Sequence, residues 1–127
     1  MSSAGGIDTA IDRIVAIGGD CVQLFTQSPR MWRPTNHKQE SIDAFHAKRA
    51  EHGIGGVVCH ALYLVNLAAP DDTIYEKSVA TMRATVDAAC AIGADGVIFH
   101  VGSHLGAGFE AGLDRICAAL EHVLERC

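Results

Sequence analysis

The sequence predicts an α/β protein built from parallel βα repeats. Three observations lead there. Three short apolar segments each open on glycines and stop at a polar residue. Stretches with helical period lie between them. The segment starts are about 35–40 residues apart, the length of one βα unit.

Taken in order, Ile7, Ala10, Ile11, Ile14 and Val15 form one apolar stripe, a first helix closed by Gly18. GGDCVQLFT (18–26) then reads as a strand buried on both faces. Ile42, Phe45 and Arg49 make a weaker second stripe, with the Arg stem laid along the sheet and Gly53 as its stop. GIGGVVCH (53–60) is the second strand segment. Val79, Met82, Val86 and Ala89 form the third helix, with Thr73 and Glu76 as its capping box and Gly93 as its C-cap. GADGVIFHVG (93–102) is the third strand segment, and Leu113, Ile116, Cys117, Leu120 and Leu124 mark the fourth helix.

Repeats of this kind build either an open doubly wound sheet or a (β/α)₈ barrel. No G-x-G-x-x-G follows any strand, which weakens the nucleotide-binding doubly wound reading. A barrel needs about 250 residues and eight strands. The chain has 127 residues and three strand segments. Residues 1–127 are therefore expected to form a single partial domain, an incomplete TIM barrel.

The composition is 49% hydrophobic and 20% charged, as in a globular protein. No apolar run approaches the ~20 residues needed to span a bilayer, and MSSAGGIDTAIDR has neither the basic nor the apolar region of a secretory signal. A cytoplasmic protein is expected. The five dispersed cysteines read as reduced and mostly buried, not as a disulfide framework. A net charge of −5 argues against a broadly basic nucleic-acid-binding domain, but not against a local basic patch or bound metal ions.

Two strands are expected to end in histidine, His60 after GVVC and His100 after GVIF. Strand ends form the mouth of a barrel. Side chains alternate along a strand, so packing of Cys59 and Phe99 under the helices would turn both imidazoles to the barrel interior. Neutral imidazole is a common zinc ligand, so the pair fits the start of a metal site. It fits equally a pair of hydrogen-bonded strand caps. His104 completes H-x₃-H with His100, but the intervening Gly102 argues against a helix there, and His104 reads as a loop residue that either supports the site or is merely polar. Loop PRMWRPTNHK (29–38) sets Arg30, Arg33 and Lys38 around Trp32. Such a mixture suits a phosphate backbone and an unstacked base, although a solvated loop anchored by Trp32 is the favoured reading. In HALYLVNL (60–67), Tyr63 and Leu64 could wedge into a duplex, or the leucines could be core.

Together AGG (4–6), LFTQSPRMWR (24–33), HALYLVNL (60–67) and FHVGSHL (99–105) resemble the endonuclease IV family, in order and spacing, over nearly the whole chain. The resemblance implies a (β/α)₈ barrel with a cluster of three zinc ions at its mouth, cleaving the phosphodiester on the 5′ side of an abasic site. It implies that His60 and His100 are zinc ligands and that Arg30, Tyr63 and Leu64 enter the DNA. The chain then supplies roughly the second to fourth strands and first four helices, and the remaining ligands come from later strands. The family often has Pro before its first ligand and Asp-Ser after it, where this chain has Cys59, Ala61 and Leu62; Val101 replaces a common Pro after the second. These changes alter what orients the imidazoles.

The expectation is a zinc-dependent endonuclease acting on double-stranded DNA with abasic sites, monomeric and off the membrane, with manganese as the other candidate metal. The 127-residue chain alone is expected to be inactive. The alternatives are a sugar isomerase or epimerase on a related metal-dependent barrel, and a non-catalytic remnant.

Overall fold

The computed structural model describes residues 1–125. The elements alternate as expected: α1 (Thr9–Val15), β1 (Val22–Phe25), α2 (Gln39–Glu51), β2 (Val57–His60), α3 (Asp72–Ala91), β3 (Gly96–Ile98) and α4 (Phe109–Leu124). The strands form one parallel sheet in the order β1-β2-β3. Each is shorter than its apolar segment, because the flanking residues belong to the turns that feed and leave the sheet.

Side-chain alternation separates the two faces of this sheet. Val22 and Leu24 on β1 and Val57 and Cys59 on β2 are buried, and Leu24, Cys59 and Val97 lie side by side in register. Helices cover this face: Ile7, Ala10, Ile11, Phe45, Ala89 and Ile92 pack on it in one cluster. The opposite face, with Gln23, Phe25, Val58, His60 and Ile98, stays open, and Ile98 is 43% exposed. A doubly wound sheet carries helices on both faces. Helices on one face of a parallel sheet are the barrel arrangement, with the open face as its interior.

Gly18, Gly53 and Gly93 end α1, α2 and α3 with φ of 75°, 63° and 62°, as their sequence positions predict. Phe45, fully buried, stabilises α2 against the sheet by about 1.5–3 kcal/mol. Arg49 of α2 is partly buried. Its guanidinium donates to the carbonyls of Ile54, Gly55 and Gly93, at 3.2, 2.7 and 2.6 Å, and so ties together the turns that lead into β2 and β3.

Three expectations need correction. The α3 cap is Asp71, whose carboxylate accepts from the Ile74 amide at 2.8 Å, while Thr73 and Glu76 are exposed. In α4 the buried residues are Gly112, Ala119 and Val123, flanked by Ile116 and Leu120; Leu113, Cys117 and Leu124 are exposed. The helix is apolar on two faces, and the other one packs on α3. Of the described cysteines only Cys59 is buried. Cys21 sits in the turn before β1, and Cys90 in α3 and Cys117 in α4 are exposed. Cys127 lies outside the described residues.

Candidate functional site

The carboxyl ends of the three strands bring together residues that are far apart in the chain. Cys59 is fully buried and Phe99 packs with the α3–α4 cluster, so the condition for turning their neighbours to the open face is met. The His60 and His100 rings stand 5.3 Å apart, centroid to centroid, at 78°. Phe25 at the end of β1 lies 5.2 Å from His60, and the Tyr63 ring touches all three, at 5.3 Å from Phe25, 5.7 Å from His60 and 6.0 Å from His100.

His60 Nδ1 lies 2.6 Å from the Ala61 carbonyl, so it carries the proton and donates, which leaves the Nε2 lone pair available. Engaging one ring nitrogen with a carbonyl while the other stays open is the usual state of a metal-ligating imidazole. A structural or catalytic zinc takes four ligands, or three and water. The two imidazoles therefore fit as part of a ligand set. Among the described residues no third His, Cys, Asp or Glu joins them. Adjacent Cys59 is unsuited as a thiolate, since burial, then the nearby Cys90, pushes its thiol up to about 12.

Tyr63 and Leu64 are 51% and 41% exposed, whereas Leu62 and Leu67 are buried, so the structure separates what periodicity leaves open. Leu62 and Leu67 hold the loop down while Tyr63 and Leu64 project. The Tyr63 amide donates to the Pro29 carbonyl at 3.0 Å, which sets the neighbouring, exposed Arg30 beside the Tyr63 loop. Trp32 packs against the α3–α4 cluster, beside a 140 Å³ cavity with Pro34, Lys77 and Thr81. It is an anchor, and Arg33 and Lys38 of the same loop are exposed.

Next to this group a cleft of about 890 Å³ runs between residues 1–6 and loop 27–38, lined among others by Gly5, Gly6, Gln27, Ser28, Asn36 and Lys38. Its walls are tied to the sheet. The Phe25 amide donates to the Met1 carbonyl, Ser3 Oγ to the Phe25 carbonyl, and Arg13 to the carbonyls of Ser2 and Ala4. Gln27 is 6% exposed and its Nε2 has no hydrogen-bond partner among the described residues, leaving a buried donor at the cleft wall.

His104 is not part of the histidine pair. Its Nδ1 accepts from the amides of Gly106 and Gly108, each at 3.2 Å, ahead of α4. Sequence reasoning missed Asn66, whose side chain bonds Ser103 across 37 residues; no short-range pattern marks such a contact.

Comparison with known proteins agrees with this geometry. Residues 11–127 match the model of a family described as xylose isomerase-like TIM barrel. A probable endonuclease 4 of Natronomonas pharaonis is 43% identical over 122 residues, covering 96% of this chain and 44% of that protein. The crystal structure of endonuclease IV from Thermus thermophilus superposes with a TM-score of 0.84 at 35% identity, over 97% of this chain and 45% of that one. A D-tagatose 3-epimerase-like protein shares the fold, with a TM-score of 0.68 at 18% identity and coverage of 98% and 46%. The chain thus spans less than half the length of the relatives it matches. It belongs to the xylose isomerase-like TIM-barrel family, and its similarity within that family runs to the endonuclease IV proteins.

Proposed function

We propose that the chain forms the first part of the active site of a zinc-dependent endonuclease that nicks DNA on the 5′ side of abasic sites. The observation that carries this reading is the pairing of His60, the last residue of β2, with His100, two residues past β3, at 5.3 Å between rings, with His60 Nε2 open and Tyr63 and Leu64 projecting beside it. His60 and His100 would hold one zinc ion together with ligands from further βα units. When bound, zinc supplies Lewis-acid polarisation of the phosphodiester and lowers the pKa of water to about 7.

The chain's own residues account for recognition. Tyr63 and Leu64 enter the duplex at the lesion, where unstacking costs least because no base pair must be broken. Arg30, held next to this loop, enters with them, and exposed Arg33 and Lys38 add positive charge for the phosphate backbone to a chain of net charge −5. The cleft beside Gly5 and Gly6 gives the backbone room to pass, with the Gln27 amide as a donor to it. A sugar epimerase on the same fold would not need an exposed aliphatic Leu64 at the rim of its pocket.

The test is His60→Ala in the protein at its natural length. Zinc content and nicking at abasic sites fall together. Unchanged zinc with unchanged nicking would sink the assignment. Residues 1–127 alone give no nicking, since two imidazoles do not complete the ligand set.

A further inference from the structure

His60 is fixed by the sheet, and His100 is not. His60 is the last residue of β2, in register with Ile98, and the following Ala61 amide donates to the Ile98 carbonyl at 2.9 Å. β3 ends at Ile98, so Phe99 and His100 run on past the ladder, without a strand partner among the described residues. Two residues of the other loop take over that task. Asn66 Oδ1 accepts from the amides of Ser103 and Ala68, at 2.9 and 3.1 Å, and Asn66 Nδ2 donates to the Ser103 carbonyl at 3.0 Å. The Leu67 amide donates to the Val101 carbonyl at 3.2 Å.

The backbone on both sides of Gly102 is therefore bonded to two consecutive residues of the loop that follows His60. That loop has its own anchor. The Asn66 amide donates to Ser78 Oγ at 2.9 Å, and the Ser78 hydroxyl donates to the Ile74 carbonyl of α3 at 2.7 Å. An asparagine suits this place because it offers both an acceptor and a donor to Ser103, which a carboxylate cannot do.

We propose that Asn66 is a positioning residue of the histidine pair: its paired hydrogen bonds to Ser103 set the place of the His100 imidazole relative to His60. The spacing of the pair follows from geometry alone; its use in metal binding rests on the function proposed above.

Two readouts separate these claims, both on the protein at its natural length. In the metal-free protein, the nuclear Overhauser effect between the His60 and His100 ring protons is present in the parent and lost in Asn66→Ala. In a cobalt(II) titration the same variant binds about 10–100-fold more weakly, with altered visible bands, the range seen when an outer-shell partner is removed. Ser78→Ala loosens the same loop without touching the Ser103 bonds. It lowers the melting temperature but disturbs ring contact and cobalt affinity less than Asn66→Ala does, which a merely structural role for Asn66 does not predict; an equal or larger disturbance in Ser78→Ala overturns the proposal. Should Asn66→Ala fail to fold, Asn66→Asp keeps the two acceptor bonds, loses the donor and sets a carboxylate against the Ser103 carbonyl. Its ring contact weakens, and an unchanged ring contact overturns the proposal. Retention of both ring contact and cobalt affinity in Asn66→Ala also overturns it. If the parent binds no cobalt while the ring contact still depends on Asn66, the metal reading falls and the positioning role stands.

Discussion

Replacing Gly102 with alanine tests how closely the two mouth loops must approach. Gly102 has φ +99°, where L-residues are strained. An added Cβ would fall inside the Asn66 side-chain oxygen, and 2.8 Å from Asn66 Cα. Rotating the Asn66 side chain relieves the first clash and breaks its bonds to Ser103 and Ala68; nothing short of a backbone shift relieves the second. Strain at such a φ costs about 1–3 kcal/mol. Three hydrogen bonds at about 1 kcal/mol each add about 3 kcal/mol. The expected loss is therefore about 4–6 kcal/mol, a large share of a typical stability of about 5–15 kcal/mol. Gly106 is the control: φ is +90° and nothing lies within 4 Å of an added Cβ. Gly106→Ala carries the strain alone, about 1–3 kcal/mol. Denaturant unfolding of both variants, followed by circular dichroism, gives the difference directly. If Gly102→Ala costs no more than Gly106→Ala, the close packing of the two loops and the reasoning built on it are wrong.

The loop after His60 offers a second contrast. Leu62→Ala, 2% exposed in the parent, lowers stability by about 2–5 kcal/mol, while Leu64→Ser, at 41%, changes it by less than about 1 kcal/mol but weakens binding to DNA with an abasic site; a gel-shift series with matched melts tests both, and equal stability losses would refute the division of labour. A third expectation concerns acid. Burial pushes the Asp8 carboxyl up, but hydrogen bonds from Lys48 and Ser41 and the Lys48 charge outweigh it and hold the group below its ordinary value. A depressed carboxyl contributes stability above its unfolded value, about 3.9, and loses it as pH falls through the folded one. Lys48 shifts the other way, upward through Asp12 and Asp8, so its contribution is lost at high pH, outside the acid range in which Asp8 titrates. Asp8→Asn should thus be less stable than the parent at neutral pH, with the gap closing below about pH 4. A gap that stays constant down to about pH 2 would refute the link between α1 and α2.

Much of the fold was legible because its signals are local. Glycine at Gly18, Gly53 and Gly93 marks helix ends by backbone chemistry, and alternating apolar runs and helical stripes mark the layers. Elsewhere the local signal is ambiguous. In α4 both Leu113–Cys117–Leu124 and Gly112–Ala119–Val123 are apolar or small arcs, so periodicity alone does not say which packs on α3. At α3 Asp71 and Thr73 are both fit to cap, and only geometry shows that the Asp71 carboxylate reaches the Ile74 amide. The histidines were legible for a topological reason: parallel strands end on one edge, so residues 40 apart in sequence meet if both follow a strand. The means of holding them there was not. It depends on Asn66 reaching a peptide on another loop and on a glycine small enough to admit it, and neither leaves a trace within a window of one helix or strand. A strand end brings a histidine to the mouth; side-chain bonds to backbone beyond the ladder decide where it points. This predicts that the substitutions around His60 and His100 that most disturb the pair lie at Asn66 and Gly102, ahead of Ala61 or Val101, although the latter are its neighbours in sequence.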